Sequence, residues 1–383
     1  MSDILVERLR PYSSSVFEEI SRLATSNEAV DLGQGFPDYE GPAAMLELAR
    51  SAISGGMNHY SSSKGQAVLR EAIVAERGRR LGGGYDPLAE VVVTAGATEA
   101  LTSAMLALVE PGAEVVLIEP YYDSYAAAVA MAGAVPRTVA MVSDGDGFTL
   151  DLDELRRSIT ARTRLLVVNS PHNPSGSLLR PADLRLIAEL ACAHDFLVVS
   201  DEVYEHLVFD ADDYLSIATL PGMRERTIVV SSPAKTFHVT GWRIGWALGP
   251  APLIHAIHAA KQYLSFVSPA PFQPAVAHAL AHEQEWAAAN RAALRGKSEL
   301  LSTALRDLGY PVKRSAGGYF VCADVGSDGT AFCRELPARA GVAAIPVAAL
   351  AARSQWNNLV RFAYCKRDAT LHEAIARLGK AQS

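Results

Sequence analysis

The chain is expected to be an α/β protein, with a large domain built on a mainly parallel sheet and a smaller α+β domain behind it. Three observations carry that expectation. From Val91 to Ser232, short β-branched runs alternate with apolar stretches of helical length, the pattern of strands joined by crossover helices. Several of those runs end in polar or reactive residues, as strands do when their carboxyl ends share a crevice. Beyond the proline-rich segment Pro269 to Pro274, the chain turns strongly helical and then alternates short strands with helices. The expected divisions are an amino-terminal arm packing with the small domain (1–40), a large domain (41–278) and a small domain (279–383).

At 383 residues, 49% of them hydrophobic, the chain can bury a core of that size. Its formal net charge of −7 is spread without long single-sign runs, which argues against a nucleic-acid surface or a basic membrane-facing helix. No uncharged apolar stretch reaches membrane-spanning length, and MSDILVERLRPYSSSVFEEI lacks the apolar centre of a signal peptide. A cytoplasmic protein is expected. Cys192, Cys322, Cys333 and Cys365 follow no CxxC or metal-ligand spacing and read as reduced core residues, with no metal site.

In chain order, DLGQGFPDYEGP is too rich in Gly and Pro to be a regular element. A helix is expected over Pro42 to Ile53, and a second, capped by Ser62 or Ser63, through Arg79; Tyr60 lies on the loop between them. VVVTAGATEALTSAMLALV reads as a buried strand running through Gly96, Ala97 and Thr98 into an apolar helix. Such a turn collects free amides and the positive helix end, where phosphate binds, although a plain strand-to-helix turn suits the same residues. Strand EVVLIEP and loop YYDSY follow, then a helix, strand AVPRTVAMV, a helix from Leu152, and strand RLLVVNS with loop PHNPSG. Helix PADLRLIAELACAHD and strand FLVVSDEVY come next. The strand Ile228 to Val230 stops at two serines and a proline, which places Lys235 on the loop beyond it. Gly96 to Thr98, Tyr122, Asn173 and Asp201 can therefore face one crevice with Lys235. The last part carries helix EQEWAAANRAALRGKSELLSTALRDLG, strands GGYFVCADV, AAIPV and LVRFAYC, and a terminal helix.

Lys235 is one of only seven lysines and sits among apolar and hydroxyl neighbours that disfavour an ammonium. A lysine of lowered pKa can attack a carbonyl and form a Schiff base; the plain alternative is a stem lying along the loop with its head in water. Asp201, behind an apolar strand, needs a cationic partner unless it caps a helix. Asn173 before Pro174 also suits a simple turn, and Tyr122 also suits a core position.

Taken together, HNPSG, SDEVY and SSPAKTFHVTGWRIG, in that order and spacing, resemble the class I aminotransferases of the pyridoxal-phosphate fold-type-I superfamily. The resemblance covers nearly the whole chain. Through LGQGFPD, EPYYDSY, SPHNPSG, SDEVYEHLVF and LVRFAYCKRD it is closest to the kynurenine/glutamine, methionine and N-succinyldiaminopimelate aminotransferase branch. It implies pyridoxal 5'-phosphate held by Lys235 as a Schiff base, the lysine then moving a proton between Cα and the cofactor. It further implies Asp201 at the pyridine nitrogen, Tyr204 and Asn173 at the phenolate oxygen, and Tyr122 stacked on the ring. Gly96, Ala97, Thr98, Ser232 and Arg243 would hold the phosphate. Tyr60 would reach the phosphate of a neighbouring subunit, which implies a homodimer. Arg361 would clamp the substrate α-carboxylate, with Asn173 beside it and Gly35 letting backbone approach.

The implied reaction moves an amino group between an L-amino acid and a 2-oxo acid. The alternative is β- or γ-elimination, replacement or carbon–carbon bond formation, as in relatives resembling 1-aminocyclopropane-1-carboxylate synthase. A regulator on the same fold is disfavoured, because only about 40 residues, without a basic cluster, precede the fold. The sequence departs from the family pattern at Ala234, at Ala348, Ala349 and Leu350, and at SSSKGQAV after Tyr60. The last two segments are expected to line a substrate pocket wider than that of kynurenine-type enzymes.

Overall fold

The computed structural model describes residues 4–13, 15–210 and 214–381. Helix α1 (Val16–Ser26) opens on Ser15, whose Oγ accepts from the Phe17 amide at 3.2 Å, and leads to the short strand β1 (Val30–Asp31). Helices α2 (Ala43–Ser54) and α3 (Ala67–Leu81) follow. Neither Ser62 nor Ser63 caps α3, which starts after Gln66. Ser63 Oγ is held instead by His258 Nε2 at 2.9 Å, and Ser62 Oγ accepts from the Lys64 amide.

The large sheet is built from β2 (Val91–Thr94), β3 (Glu114–Glu119), β4 (Val135–Asp144), β5 (Gly147–Leu150), β6 (Thr163–Asn169), β7 (Leu197–Asp201), β8 (Thr227–Ser231) and β9 (Gly245–Leu248). Between them run α4 (Gly96–Leu108), α5 (Asp123–Met131), α6 (Leu152–Ser158), α7 (Pro181–His194) and the single turn α8 (Pro233–Thr236). The strand order is β2-β9-β8-β7-β6-β3-β4-β5. Pairings are parallel except those made by β9 and β5, so the mainly parallel sheet expected from alternation is present. The two antiparallel strands are the ones that alternation does not announce. β5 returns through a two-residue turn, and β9 over a connection whose one α-helical piece is the single turn α8, so neither is marked by a full crossover helix.

Helices α4, α5 and α9 (Ala251–Lys261) cover one face of the sheet, and α6 and α7 cover much of the other. Next to these, α2, α3 and α10 (Gln273–His282) pack over β2, β8 and β9. With both faces covered, the central strands are apolar without alternation. Each fully buried Val, Leu or Ile side chain contributes about 1.5–3 kcal/mol.

The chain then runs through α11 (Gln284–Asp307), β10 (Phe320–Asp324), α12 (Gly329–Ala340), β11 (Val342–Ala343), β12 (Ile345–Pro346), β13 (Leu359–Ala363) and α13 (Asp368–Lys380). Strands β10, β13 and β12 form an antiparallel sheet, and β1 pairs in parallel with β11. Through that pairing, and an ion pair between Glu19 and Arg334 at 2.8 Å, the amino-terminal arm is sewn to the carboxyl-terminal part. Cys322, Cys333 and Cys365 are buried thiols as expected, whereas Cys192 is exposed.

Candidate active site

Strand β8 ends at Ser231, and Ser232 starts α8: its Oγ accepts from the Ala234 amide at 3.1 Å and donates to the Ile244 carbonyl at 2.6 Å. Lys235 therefore stands in a capped helical turn and not on the irregular loop expected, because Ser-Pro is a strong helix start as well as a strand stop. Its Nζ donates to the Gly35 carbonyl at 2.6 Å, and the Tyr319 hydroxyl holds its backbone carbonyl. Loss of water around the amine lowers its pKa to about 8, against the pull of the nearby Cys365 thiol.

Asp201 lies at the carboxyl end of β7, between the parallel strands β8 and β6, and is 3% exposed. Its Oδ2 accepts from the Tyr125 hydroxyl at 2.6 Å and its Oδ1 from the Val203 amide at 3.2 Å; among the described residues it has no ion-pair partner. Burial pushes the carboxyl up to about 6, with the Tyr125 bond pulling the other way. Asn169 Nδ2 holds the Asp201 carbonyl at 3.0 Å and Asn169 Oδ1 the Asn173 amide at 2.7 Å, so two neighbouring strand ends are tied together here. Sequence reading missed Tyr125 and Asn169. Tyr125 lies three residues after Tyr122 at the start of α5, a spacing that puts both on one side of a helix.

At the other end of the cleft, β2 turns directly into α4. Gly96 has φ +78°, and a Cβ there would stand 2.4 Å from Arg243 Nη2. Gly245 meets the same turn, where a Cβ would come within 2.5 Å of the Ala97 amide nitrogen. Both glycines are thus required by close approach. Arg243 donates to the carbonyls of Thr240 and Ala95 and has no carboxylate partner among the described residues. Ala97, Thr98, Tyr122, Asn173, Asp201, Tyr204, Ser232, Lys235 and Arg243 line one cleft, and Gly96 backs it through Arg243.

The cleft continues past Tyr122, Asn173, Tyr204 and Lys235 to Gly35 and Arg361. Arg361 is 2% exposed on β13: Nη1 donates to Asn173 Oδ1 at 3.0 Å and Nη2 to the Gly33 carbonyl at 2.7 Å, while the Nε hydrogen has no partner. Phe320 lies 3.9 Å from the guanidinium, and a Cβ on Gly35 would strike that same ring at 2.4 Å. Burial lowers the guanidinium's pKa, with Tyr204, the nearby thiols and the Asp123 carboxylate across the cleft pulling the other way.

Tyr60 is not in this cleft. It is 83% exposed and sits in a separate recess, its ring edge on Phe266 with centroids 5.4 Å apart. The segments expected to line the substrate side are elsewhere too. Leu350 is fully buried with its carbonyl bonded to the Tyr121 amide, and Ser63 and Lys64 bond His258 and the Leu88 carbonyl. Ser15, Phe17, Gln34, Phe36, Asp123 and Ser124 form that wall instead, residues that the sequence did not single out.

A poised amine, a buried carboxylate awaiting a cation, and a helix start backed by arginine and serine are the parts of a pyridoxal-phosphate enzyme on an aminotransferase-type fold. The chain belongs to the aminotransferase class I and II family, whose model matches residues 27–378. It is 56% identical to the probable N-succinyldiaminopimelate aminotransferase of Mycobacterium tuberculosis, over 97% of each chain. The solved structure of N-succinyldiaminopimelate aminotransferase from that organism superposes with a TM-score of 0.97, covering 98% of this chain and 100% of the other. The methionine aminotransferase of Escherichia coli is 36% identical over 97% of each chain; its structure gives a TM-score of 0.93 at 98% and 99% coverage. Kynurenine–oxoglutarate transaminase 3 of Mus musculus is 35% identical over 96% of this chain and 88% of that one. The protein is a transaminase dependent on pyridoxal phosphate, and no described helix is long and apolar enough to cross a membrane.

The donor set suits that cofactor. Asp201 is a carboxylate whose burial is relieved by a protonated ring nitrogen, and the free amides of Ala97 and Thr98 with Arg243 and Ser232 suit a phosphate.

Proposed function

We propose that this transaminase works through Lys235 as its catalytic residue, with Asp201 and Arg361 as the charges that hold cofactor and substrate. One observation carries the reading: three ionisable groups with no ion pair in contact among the described residues, an amine, a carboxylate and a guanidinium, converge on one continuous cleft. Pyridoxal phosphate supplies the carbonyl that captures an amine and the ring that takes up electrons when the substrate Cα loses its proton. Asp201 would hold the ring nitrogen protonated, Tyr204 and Asn173 would offer hydrogen bonds to the phenolate oxygen, and Tyr122 would limit tilt of the ring. Gly96, Ala97, Thr98, Ser232 and Arg243 would hold the phosphate. Arg361 receives the α-carboxylate on its fork, with Asn173 fixing the angle of the guanidinium and Gly35 leaving room for the substrate. Lys235 Nζ then takes up the proton leaving Cα.

The substrate we propose is an L-amino acid of the N-succinyldiaminopimelate kind, long, with carboxyl and amide groups along its chain. The 56% relative supports this, as do the polar Ser15, Gln34 and Ser124 beyond Arg361. We further propose a cytoplasmic homodimer in which Tyr60 reaches the partner's phosphate, since its exposure removes it from its own cleft. The division into arm (1–40), large domain (41–278) and small domain (279–383) is kept as part of this reading.

Loss of visible absorbance on adding single amino acids to the loaded enzyme tests the substrate. N-succinyldiaminopimelate is expected to react at least tenfold faster than methionine or kynurenine, and a faster reaction with either of those overturns the assignment. Borohydride reduction followed by peptide mapping is expected to place the cofactor on Lys235.

A further inference from the structure

Lys261 is among the largest fully buried side chains of the molecule, 0% exposed in the last turn of α9. Its Nζ donates to two backbone carbonyls, Ser63 at 2.9 Å and Phe266 at 2.7 Å, and has no ion-pair partner among the described residues. A buried ammonium bonded only to carbonyls, with the Glu99 carboxylate offsetting part of its burial from farther away, carries a desolvation cost that a methionine of similar volume would avoid. What the ammonium does and methionine cannot is bind two carbonyls at once.

Those carbonyls belong to the two loops that carry the most exposed aromatic rings near Tyr60. Tyr60 is 83% exposed, Tyr263 86%, Leu264 52% and Phe266 48%. Phe266 has a left-handed backbone at φ 64°, unfavourable for a residue with a side chain, and its own carbonyl takes the Lys261 bond. One turn earlier on α9, His258 grips Ser63 Oγ at 2.9 Å, so the helix holds the Tyr60 loop at two points. Gln273 separately donates to the Ser268 carbonyl at 3.1 Å and to Ser61 Oγ at 3.4 Å. Removing the Lys261 bonds therefore unlinks the Tyr60 and Phe266 loops from each other at Ser63 and Phe266, while His258 and Gln273 still keep the chain folded at Ser63, Ser61 and Ser268.

We propose that Lys261 is a positioning residue for the neighbouring subunit's active site, clamping the Tyr60 and Phe266 loops into one rigid aromatic lobe. The inference rests on the reading that Tyr60 acts across a homodimer. Lys261 touches neither cofactor nor substrate of its own subunit, and its effect is exerted in the partner.

The test uses Lys261→Met, with Lys261→Gln as the milder variant should Met fail to fold, each prepared as loaded enzyme. Either homodimer is expected to bind pyridoxal phosphate and substrate about tenfold more weakly, read as cofactor dissociation and KM, with a smaller change in kcat. Unchanged dissociation and KM overturn the proposal. Differently tagged Lys261→Met and Lys235→Ala subunits are then mixed. In that hybrid the only site with its lysine belongs to the Lys261→Met subunit, and an intact clamp serves it from the partner. Wild-type cofactor affinity and KM at that site are expected. A site as weak as in the Lys261→Met homodimer places the lysine's role within its own chain and overturns the clamp. A parallel hybrid of Tyr60→Phe with Lys235→Ala tests the underlying reading. Restoration there without restoration for Lys261→Met overturns the clamp alone. Restoration in neither, or a monomer at assay concentration, overturns the cross-subunit reading and the clamp with it.

Discussion

Asp201 is a carboxyl that the fold accommodates at a cost, and it is the one proposed to meet the cofactor's ring nitrogen. Burial raises its pKa from 3.8 to about 6, so the cofactor-free fold binds a proton that the unfolded chain has released. The sign follows: full stability is present below about pH 4 and is lost as pH rises to about 6, a cost on the order of 2–3 kcal/mol at neutral pH. Asp201→Asn is expected to stabilise the cofactor-free protein by up to that amount in urea titrations at pH 7.5. It should also cut turnover by several orders of magnitude, because the ring nitrogen loses its partner. A destabilised variant contradicts the assignment. Lys235 titrates near pH 8, so the rate of cofactor capture by the apoprotein is expected to rise through that pH and level off above it, as followed by stopped-flow absorbance. Arg361→Lys should raise KM about tenfold or more with cofactor affinity unchanged, since an ammonium cannot reproduce a two-pronged contact.

At the scale of elements, the turn after β7 is used on both sides. Asp201 and Tyr204 face the cleft, whereas Glu202 and Glu205 face α3, where Glu202 meets Arg77 at 2.9 Å and Glu205 contacts Arg80, Arg77 and Ser231. Burial pushes the Glu205 carboxyl up, but Arg80, His206 and Arg77 outweigh it and hold the group down at about 2. Because the folded value is depressed, this contribution is complete above about pH 4.5 and is lost as pH falls toward 2. Glu205→Gln is expected to cost about 1.5–3 kcal/mol by weakening the charged hydrogen bonds to Arg80 and Ser231, while Arg77 keeps Glu202 and Arg80 keeps Glu76, measured by denaturant unfolding at pH 7. Gly35→Ala belongs to the same scale: its methyl would meet the Phe320 ring at 2.4 Å, and the ring supports Arg361, so KM should rise more than stability falls.

At the scale of the whole molecule, the amino-terminal arm completes the wall of the cleft beside Arg361. Phe17 lies 5.1 Å from the Arg361 guanidinium, Gln34 bonds Ser21 at 2.7 Å, and β1 is paired to β11. Removing residues 1–26 is expected to leave cofactor affinity close to that of the full chain and to raise KM about tenfold or more, measured by absorbance titration and steady-state kinetics. An unchanged KM would show the arm to be dispensable for substrate.

Much of this was legible in the chain because it is local. The β-branched runs ending at Thr94, Asn169, Asp201 and Ser231 mark strands and their carboxyl ends, and parallel crossovers gather such ends on one edge. That was enough to place Lys235, Asp201, Asn173 and the Gly96 turn together, and the order of HNPSG, SDEVY and SSPAKTFHVTGWRIG pointed to the family. Tertiary structure alone decided the rest. Arg77 and Glu202 stand 125 residues apart, and no local pattern couples them; burial forces the pairing because an isolated charge there is too costly. The antiparallel course of β9, the Tyr125 hydroxyl on Asp201, and the exposure of Tyr60 away from its own cleft depend on which surfaces meet. A sequence sets which groups are available and their local geometry, but the removal of water that gives those groups their charge states and partners exists only once distant segments have packed.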